Sequence, residues 1–339
     1  MKIILDAMGG DNAPESVVKG AVRAKKELGV DIVLVGLEEK VKECLKAEGC
    51  GDIEVVNATE IITMNDDPST ATRRKKDSSM AVALKMLSNG EGDAVVSAGS
   101  TGALLTGATL TVKRIKGIRR AAMAPVLPAG EHGVMLIDCG ANVECTEEYL
   151  LQFAYMGSFY AKKIMGCDNP RVGLLNVGTE PEKGGEMQHR VFELLKEAGE
   201  KGRINFIGNV EGTDVFSGRV DVVVTDGFTG NVLLKTTEGV IKYMMGALKG
   251  VFYKSTKNKL AAAVLKNDLK EMKKSMDVNE VGGTALVGIS KPVIKAHGSS
   301  DERSIFAAIR QAVNFVNSGI IADITENIDH MRLKSEETL

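Results

Sequence analysis

Lys2-Ile3-Ile4-Leu5-Asp6-Ala7-Met8-Gly9-Gly10-Asp11 joins a short apolar run to a carboxylate and a glycine-rich turn. A run of that length suits a buried strand, and the glycines allow the chain to turn sharply behind it. Residues 15–28 then show helical periodicity, and a second apolar run follows at 31–35. Strand, turn, helix and strand in that order make a βαβ unit, whose two strands lie parallel. The pattern continues along the chain. Further strands are expected at 53–57, 93–97, 133–137, 171–176, 204–207 and 221–225, and further helices at 78–87, 147–165, 186–198 and 301–316. The expected fold is therefore α/β, a three-layer α/β/α body with a mainly parallel sheet.

No low-complexity linker or change of composition divides the chain, so residues 1–330 are expected to form one catalytic body, with two lobes as a variant of it, and 331–339 a tail. Residues 240–276 break the pattern. Ile241, Met244, Leu248, Val251 and Phe252 form one helical stripe, and Leu265, Leu269, Met272 and Met276 another. Between them residues 260–265 are apolar on every side, which predicts a protruding helical arm with an apolar tip.

With 339 residues, 44% of them hydrophobic, the chain can build a substantial core. Its 43 basic and 45 acidic residues leave a net charge of −2, which gives no basic field for nucleic acid. The N-terminal apolar run ends at Asp6, too short for a signal peptide, and charged residues or glycine interrupt every longer stretch. Five cysteines without a C-x-x-C pair fit reduced thiols and no zinc site, so a cytoplasmic location is expected. Cys139 reads as a small buried filler rather than a nucleophile.

Ligands of open α/β sheets bind beyond the carboxyl ends of the strands. Six such turns are rich in glycine and hydrogen-bonding side chains: residues 6–11, 97–103, 138–142, 176–184, 208–212 and 226–231. Each alone could be a tight connection, but together they suit a cleft that binds an oxyanion. None carries G-x-G-x-x-G or a P-loop, so ordinary nicotinamide or nucleoside triphosphate binding loses its main support, and neither G-x-S-x-G nor H-E-x-x-H occurs. Among the cations, Arg73, Arg74, Lys75 and Lys76 form a run that is either a solvated patch or a docking site for an acidic partner. Lys183 lies in a glycine turn. His297 follows Lys295 beside a helix start and is either a structural hydrogen-bonding group or a proton-transfer group.

These turns, together with residues 173–180, 224–232 and 295–300, closely resemble in order and spacing the bacterial phosphate acyltransferase family known as PlsX, over essentially residues 1–316. One departure is Ser100, where many relatives would carry Asn; a polar side chain is kept. The resemblance implies transfer of a fatty acyl group from acyl carrier protein to inorganic phosphate. The resulting acyl phosphate would feed a membrane glycerol-3-phosphate acyltransferase in phospholipid synthesis. It also implies a homodimer, a fold like the isocitrate dehydrogenase and phosphotransacetylase group, and no metal or organic cofactor. On that basis Lys183, Asn231, Gly99, Ser100, Thr101 and Gly102 are assigned to phosphate or oxyanion binding, with His297 and Asp226 as polar or proton-transfer support. Arg73 to Lys76 would dock the carrier protein.

The chemistry is compatible with the turns. Phosphate is already anionic at neutral pH and a thiolate leaves readily, so positioning and oxyanion stabilisation would carry much of the rate. From Lys254 to Lys274 seven lysines face Asp268 and Glu271, a charge of +5 around Leu260, Val264 and Leu265. That tip fits either a dimer contact or a transient contact with anionic lipid, making the protein peripherally membrane-associated. Three other activities remain: a phosphotransacetylase-like enzyme using acyl-coenzyme A, a metal-dependent hydroxy-acid dehydrogenase, and a noncatalytic membrane adaptor.

Overall fold

The computed structural model describes residues 1–276 and 282–333, with the side chains of 273–275 outside that description. The first half of the chain runs β1 (Lys2–Asp6), α1 (Glu15–Leu28), β2 (Asp31–Gly36), α2 (Glu38–Ala47), β3 (Glu54–Asn57), α3 (Ala71–Arg74), α4 (Ser79–Asn89), β4 (Ala94–Ser97), α5 (Thr101–Gly107), β5 (Ala122–Ala124), β6 (Val126–Leu127), β7 (Val134–Ile137) and α6 (Glu147–Lys163). The second half runs β8 (Arg171–Leu175), α7 (Glu186–Glu200), β9 (Asn205–Val210), β10 (Val222–Val224), α8 (Gly227–Tyr253), α9 (Thr256–Val264), α10 (Lys266–Ser275), β11 (Thr284–Val287), β12 (Val293–Lys295), α11 (Glu302–Ser318) and α12 (Ile320–Glu326). The helix starts read from the sequence have their caps: Ser78 accepts from Ala81 N, and Asp301 accepts from Arg303 N and Ser304 N.

The strands form two sheets, ordered β3-β2-β1-β4-β12-β11-β5 and β6-β7-β10-β8-β9. The pairings are mostly parallel; β11 with β12, β11 with β5 and β6 with β7 are antiparallel. Burial on both faces explains the unbroken apolar runs. Ile3, Leu5, Ile32 and Leu34 enter one core with α1 and α11, while Ile4, Val33 and Val35 enter a second with Leu84 and Leu87 of α4. A third core on the outer face of the smaller sheet gathers Leu136, Val210 and Val223.

The sheets are joined where β5 runs into β6 through Pro125. Proline has no N–H to give a ladder, and its carbonyl accepts from Leu136 N at 3.0 Å. The chain leaves the larger sheet at this seam and returns to it through α8, α9 and α10. Strands β5, β6, β11 and β12 are two to four residues long, too short for an alternating pattern to reveal them.

The expected arm differs from the observed one in extent. The helix begins at Gly227 rather than near Val240, because the glycine turn after β10 is itself the first turn of α8. Of its residues only Gly227 and Gly230 are buried, so α8 runs outward with Val240, Tyr243, Met244 and Val251 exposed. At the end of α9, Leu260, Val264 and Leu265 are exposed, Val264 at 84%.

Candidate active site

In the larger sheet β1 is the switch point, with β2 on one side and β4 on the other. A cleft of about 650 Å³ opens beyond the carboxyl ends of these strands and the seam. It is lined by the turns after β1, β4, β7 and β12 and by one face of α8. The placement follows the rule for open α/β sheets.

Two glycines set α8 against the turn after β7. A Cβ on Gly230 would lie 2.0 Å from the Asp138 carbonyl oxygen, and one on Gly227 would lie 2.6 Å from the Asn142 carbonyl. Gly227 N donates to Asn142 O at 2.7 Å, and Gly140 N donates to Gly227 O at 3.0 Å. This close approach brings Asn231 over Gly140, whose φ of 90° leaves no room for an ordinary side-chain geometry. Asp226 caps the helix: Thr229 N and Thr229 Oγ1 donate to its two carboxylate oxygens, each at 2.8 Å.

Gly99, Ser100, Thr101, Asn231 and His297 all line the cleft. Gly102 packs against Pro68 instead. Ser299 N and Ser299 Oγ both approach His297 Nδ1, at 3.2 and 2.9 Å, which places the ring proton on Nε2. Lys183 is on the exposed loop after β8, its ammonium 4.0 Å from Glu180, and does not line the cleft. Arg73, Arg74 and Lys76 are exposed on and after α3. Lys75 donates to Asp66 at 2.7 Å and to the Ile61 carbonyl at 2.9 Å, bracing the segment whose Ile61 to Met64 wall the cleft.

Beneath and beside the cleft are charged groups to which the sequence alone assigns no role, although Lys295 stands out as a cation near His297. Asp6, 2% exposed, accepts from Ser79 Oγ and Ser97 Oγ at 2.6 Å each, and from Met8 N at 3.3 Å. Burial raises its pKa above the ordinary carboxylate value, although the hydroxyls and Lys295 pull the other way. Lys295, 7% exposed, has its pKa lowered to about 8 by burial, with Asp6 and Asp11 opposing. Asp138, fully buried, is pushed up to about 6 by burial against donation from Met123 N, Cys139 N, Ala141 N and Asn142 N. Burial pushes Cys139 to about 12, so it offers no thiolate at neutral pH. The visible signal for Asp6 and Lys295 was a charge at the end of an apolar run. Their convergence was invisible because β12 was not recognised as a strand.

The cleft has two chemical characters. Ser100, Thr101, Asn231 and His297 offer polar groups, whereas Met8, Ile61, Met123, Val126 and Leu234 offer apolar surface. Among the described residues no group of three or more His, Cys, Asp or Glu side chains is disposed to hold a metal ion. No single helix among them is long and apolar enough to cross a membrane.

Comparison with known proteins agrees with this architecture. Residues 1–323 match the family described as "Fatty acid synthesis protein". A "Phosphate acyltransferase" of Lysinibacillus sphaericus is 47% identical over 98% of this chain and 100% of that protein. One of Bacillus licheniformis is 48% identical over 97% and 98%. Among solved structures, a phosphotransacetylase from Streptococcus pyogenes superposes with a TM-score of 0.63 at 18% identity over 94% of each chain, which shows a shared fold. The chain belongs to the phosphate acyltransferase family, PlsX, and is an acyltransferase.

Proposed function

We propose that the enzyme takes a fatty acyl group from acyl carrier protein and transfers it to inorganic phosphate, releasing the carrier thiol and an acyl phosphate. The observation that carries this reading is the two-character cleft, in which polar groups that can receive phosphate face an apolar wall that can receive an acyl chain. A phosphate oxygen attacks the thioester carbonyl. The C–O bond forms, the C–S bond breaks through an oxyanion, and the proton that hydrogen phosphate gives up passes to the departing thiolate. Ser100, Thr101 and Asn231 supply donors to phosphate or oxyanion. His297, with its proton on Nε2, is suited to the departing sulfur. Asp226 acts through α8, whose first turn it holds in position. Lys183, outside the cleft beside Glu180, is kept as a secondary anion-binding candidate, tested by Lys183→Ala and phosphate-dependent thiol release.

Arg73, Arg74 and Lys76 form the docking patch for the acidic carrier, while Lys75 braces the adjoining wall. The exposed apolar residues of α8 fit a homodimer contact, and the basic, apolar tip fits a transient membrane surface. There the acyl phosphate would reach a membrane glycerol-3-phosphate acyltransferase without a long passage through water.

The test is incubation of the purified protein with acyl carrier thioester and phosphate, with hydroxylamine trapping any acyl phosphate as a hydroxamate. Product that depends on phosphate supports the reading; carrier thiol released without trapped product overturns it. Adding acyl-coenzyme A in competition decides the donor: preferential consumption of the coenzyme A thioester would replace the carrier protein with coenzyme A.

A further inference from the structure

Lys295 is the last residue of β12, and the parallel register sets it beside Ser97, the last residue of β4. Ser97 in turn pairs in register with Asp6, the last residue of β1. Level residues of neighbouring parallel strands point to the same face of the sheet. An ammonium, a hydroxyl and a carboxylate therefore stand in a row along the carboxyl edge at the switch point.

The side chains keep to that order. Ser97 Oγ bridges toward Asp6, and Ser79 Oγ fixes the other carboxylate oxygen. Lys295 Nζ donates to the carbonyls of Ala98, at 3.3 Å, and Ala296. Two carbonyls use two of the three N–H donors of an ammonium. A charge buried to this degree is costly unless paired, and the same exclusion of water strengthens its attraction for an incoming anion. Lys295 nevertheless lines the cleft. The other ammonium there among the described residues, Lys235, is exposed and 2.8 Å from Glu238.

We propose that Lys295 is the phosphate-binding cation of the cleft and that Asp6 is a positioning residue whose buried charge, in the same row, favours the charged ammonium, while the Ala98 and Ala296 carbonyls hold it in place. This rests on the reading of phosphate as acyl acceptor and deepens it, because it moves the principal cation from the exposed Lys183 loop to a rigid strand end. A phosphate oxygen bound there is held by a group whose backbone is fixed on two sides by β4 and β11, so little order is lost on binding.

The arrangement has a pH signature. Lys295 carries its charge below about 8 and loses it above, so phosphate affinity should fall as pH rises through that value. The other titratable groups lining the cleft are Asp11 in the turn after β1, Cys139 in the turn after β7, His297 after β12, and Lys235 and Glu238 on α8, while Asp6 lies beneath it and acts on Lys295 through its charge.

The experiment is calorimetric titration of the full-length protein with inorganic phosphate, without acyl donor, from pH 6.5 to 9.5. The wild-type protein should bind phosphate more weakly above pH 8. Lys295→Gln should lose roughly thirtyfold or more in affinity, as for removal of a desolvated charge partner. Lys295→Arg should recover part of it, and Lys235→Gln should keep the wild-type profile. Asp6→Asn should move the loss of affinity to lower pH. In hydroxamate assays Lys295→Gln should raise KM for phosphate while leaving KM for the acyl donor unchanged. Wild-type affinity that stays flat across this range, or a folded Lys295→Gln protein with wild-type affinity, overturns the proposal. Should Lys295→Gln fail to fold, the wild-type pH profile still decides. Phosphate binding through Lys295 without acyl phosphate formation would leave this inference standing and remove the acyl-transfer reading.

Discussion

The ammonium of Lys75 lies 2.7 Å from the carboxylate of Asp66 and also donates to the Ile61 carbonyl, tying α3 to the wall of the cleft. The hydrogen bond from Lys75 pulls the Asp66 pKa down to about 2, with donors from Thr63 adding to it. A lowered carboxylate pKa contributes stability above the unfolded value and loses it as pH falls through the folded one, here between about 4 and 2. The Asp66 carboxylate therefore stays ionised at neutral pH.

Lys75 and its basic neighbours should consequently separate by experiment. Lys75→Ala should lower Tm and raise KM for the acyl donor several-fold at any salt concentration, because it frees the wall. Arg73→Glu with Arg74→Glu and Lys76→Glu should leave Tm within the range of ordinary surface changes, roughly 0.5 kcal/mol for each substitution, and weaken carrier-protein binding most at low salt. Thermal melts and carrier titrations at two ionic strengths check both outcomes.

Gly230→Ala should be among the most damaging single-methyl additions. The new Cβ would lie 2.0 Å from the Asp138 carbonyl, a backbone atom that cannot swing aside as a side chain can. Overpacking of this kind costs roughly 1–3 kcal/mol or more. Because the helix must lift off the turn, Asn231 should move with it, and kcat should fall even in the fraction that remains folded. Denaturant unfolding and turnover measured on the same preparation read both effects.

Asp138→Asn should be destabilising. Each carboxylate oxygen accepts at least two N–H groups, and an amide nitrogen in either place would face donors such as Ala141 N and Asn142 N. A buried donor left unpaired costs roughly 1–3 kcal/mol. Denaturant unfolding of the native protein and of Asp138→Asn at neutral pH reads the loss directly.

The tip predicts a lipid dependence. Leu260→Glu combined with Val264→Glu should abolish co-flotation with anionic vesicles while leaving turnover in solution within about twofold, since neither side chain approaches the cleft. Undiminished flotation would remove the membrane contact from the functional reading.

Much of the architecture was visible in local chemistry. Strands β1, β2 and β4 are apolar at consecutive positions because both faces are covered, and each ends in a turn whose glycines and hydroxyls stand out against that run. The same local signal marked Ser100, Thr101, Asn231 and His297, which line the cleft. It also marked Lys183 and Asp226 without distinguishing them from groups that line the cleft. A glycine-rich turn looks alike whether it faces the ligand, caps a helix as Asp226 does, or stands beside the site as the Lys183 loop does.

What the sequence by itself determined was the α/β class, the edge of the sheet where the candidate cleft opens and, through its family resemblance, acyl transfer to phosphate. Those depend on short-range patterns of polarity and on motifs kept in order along the chain. Tertiary structure alone decided that the strands divide into two sheets at Pro125, that Lys75 serves as a brace, and that Asp6 and Lys295 share one row. These residues are 289 positions apart, and only the register of β1, β4 and β12 brings them together. The free energy of a buried charge depends on such distant neighbours and on the exclusion of water, neither of which a local stretch of sequence contains.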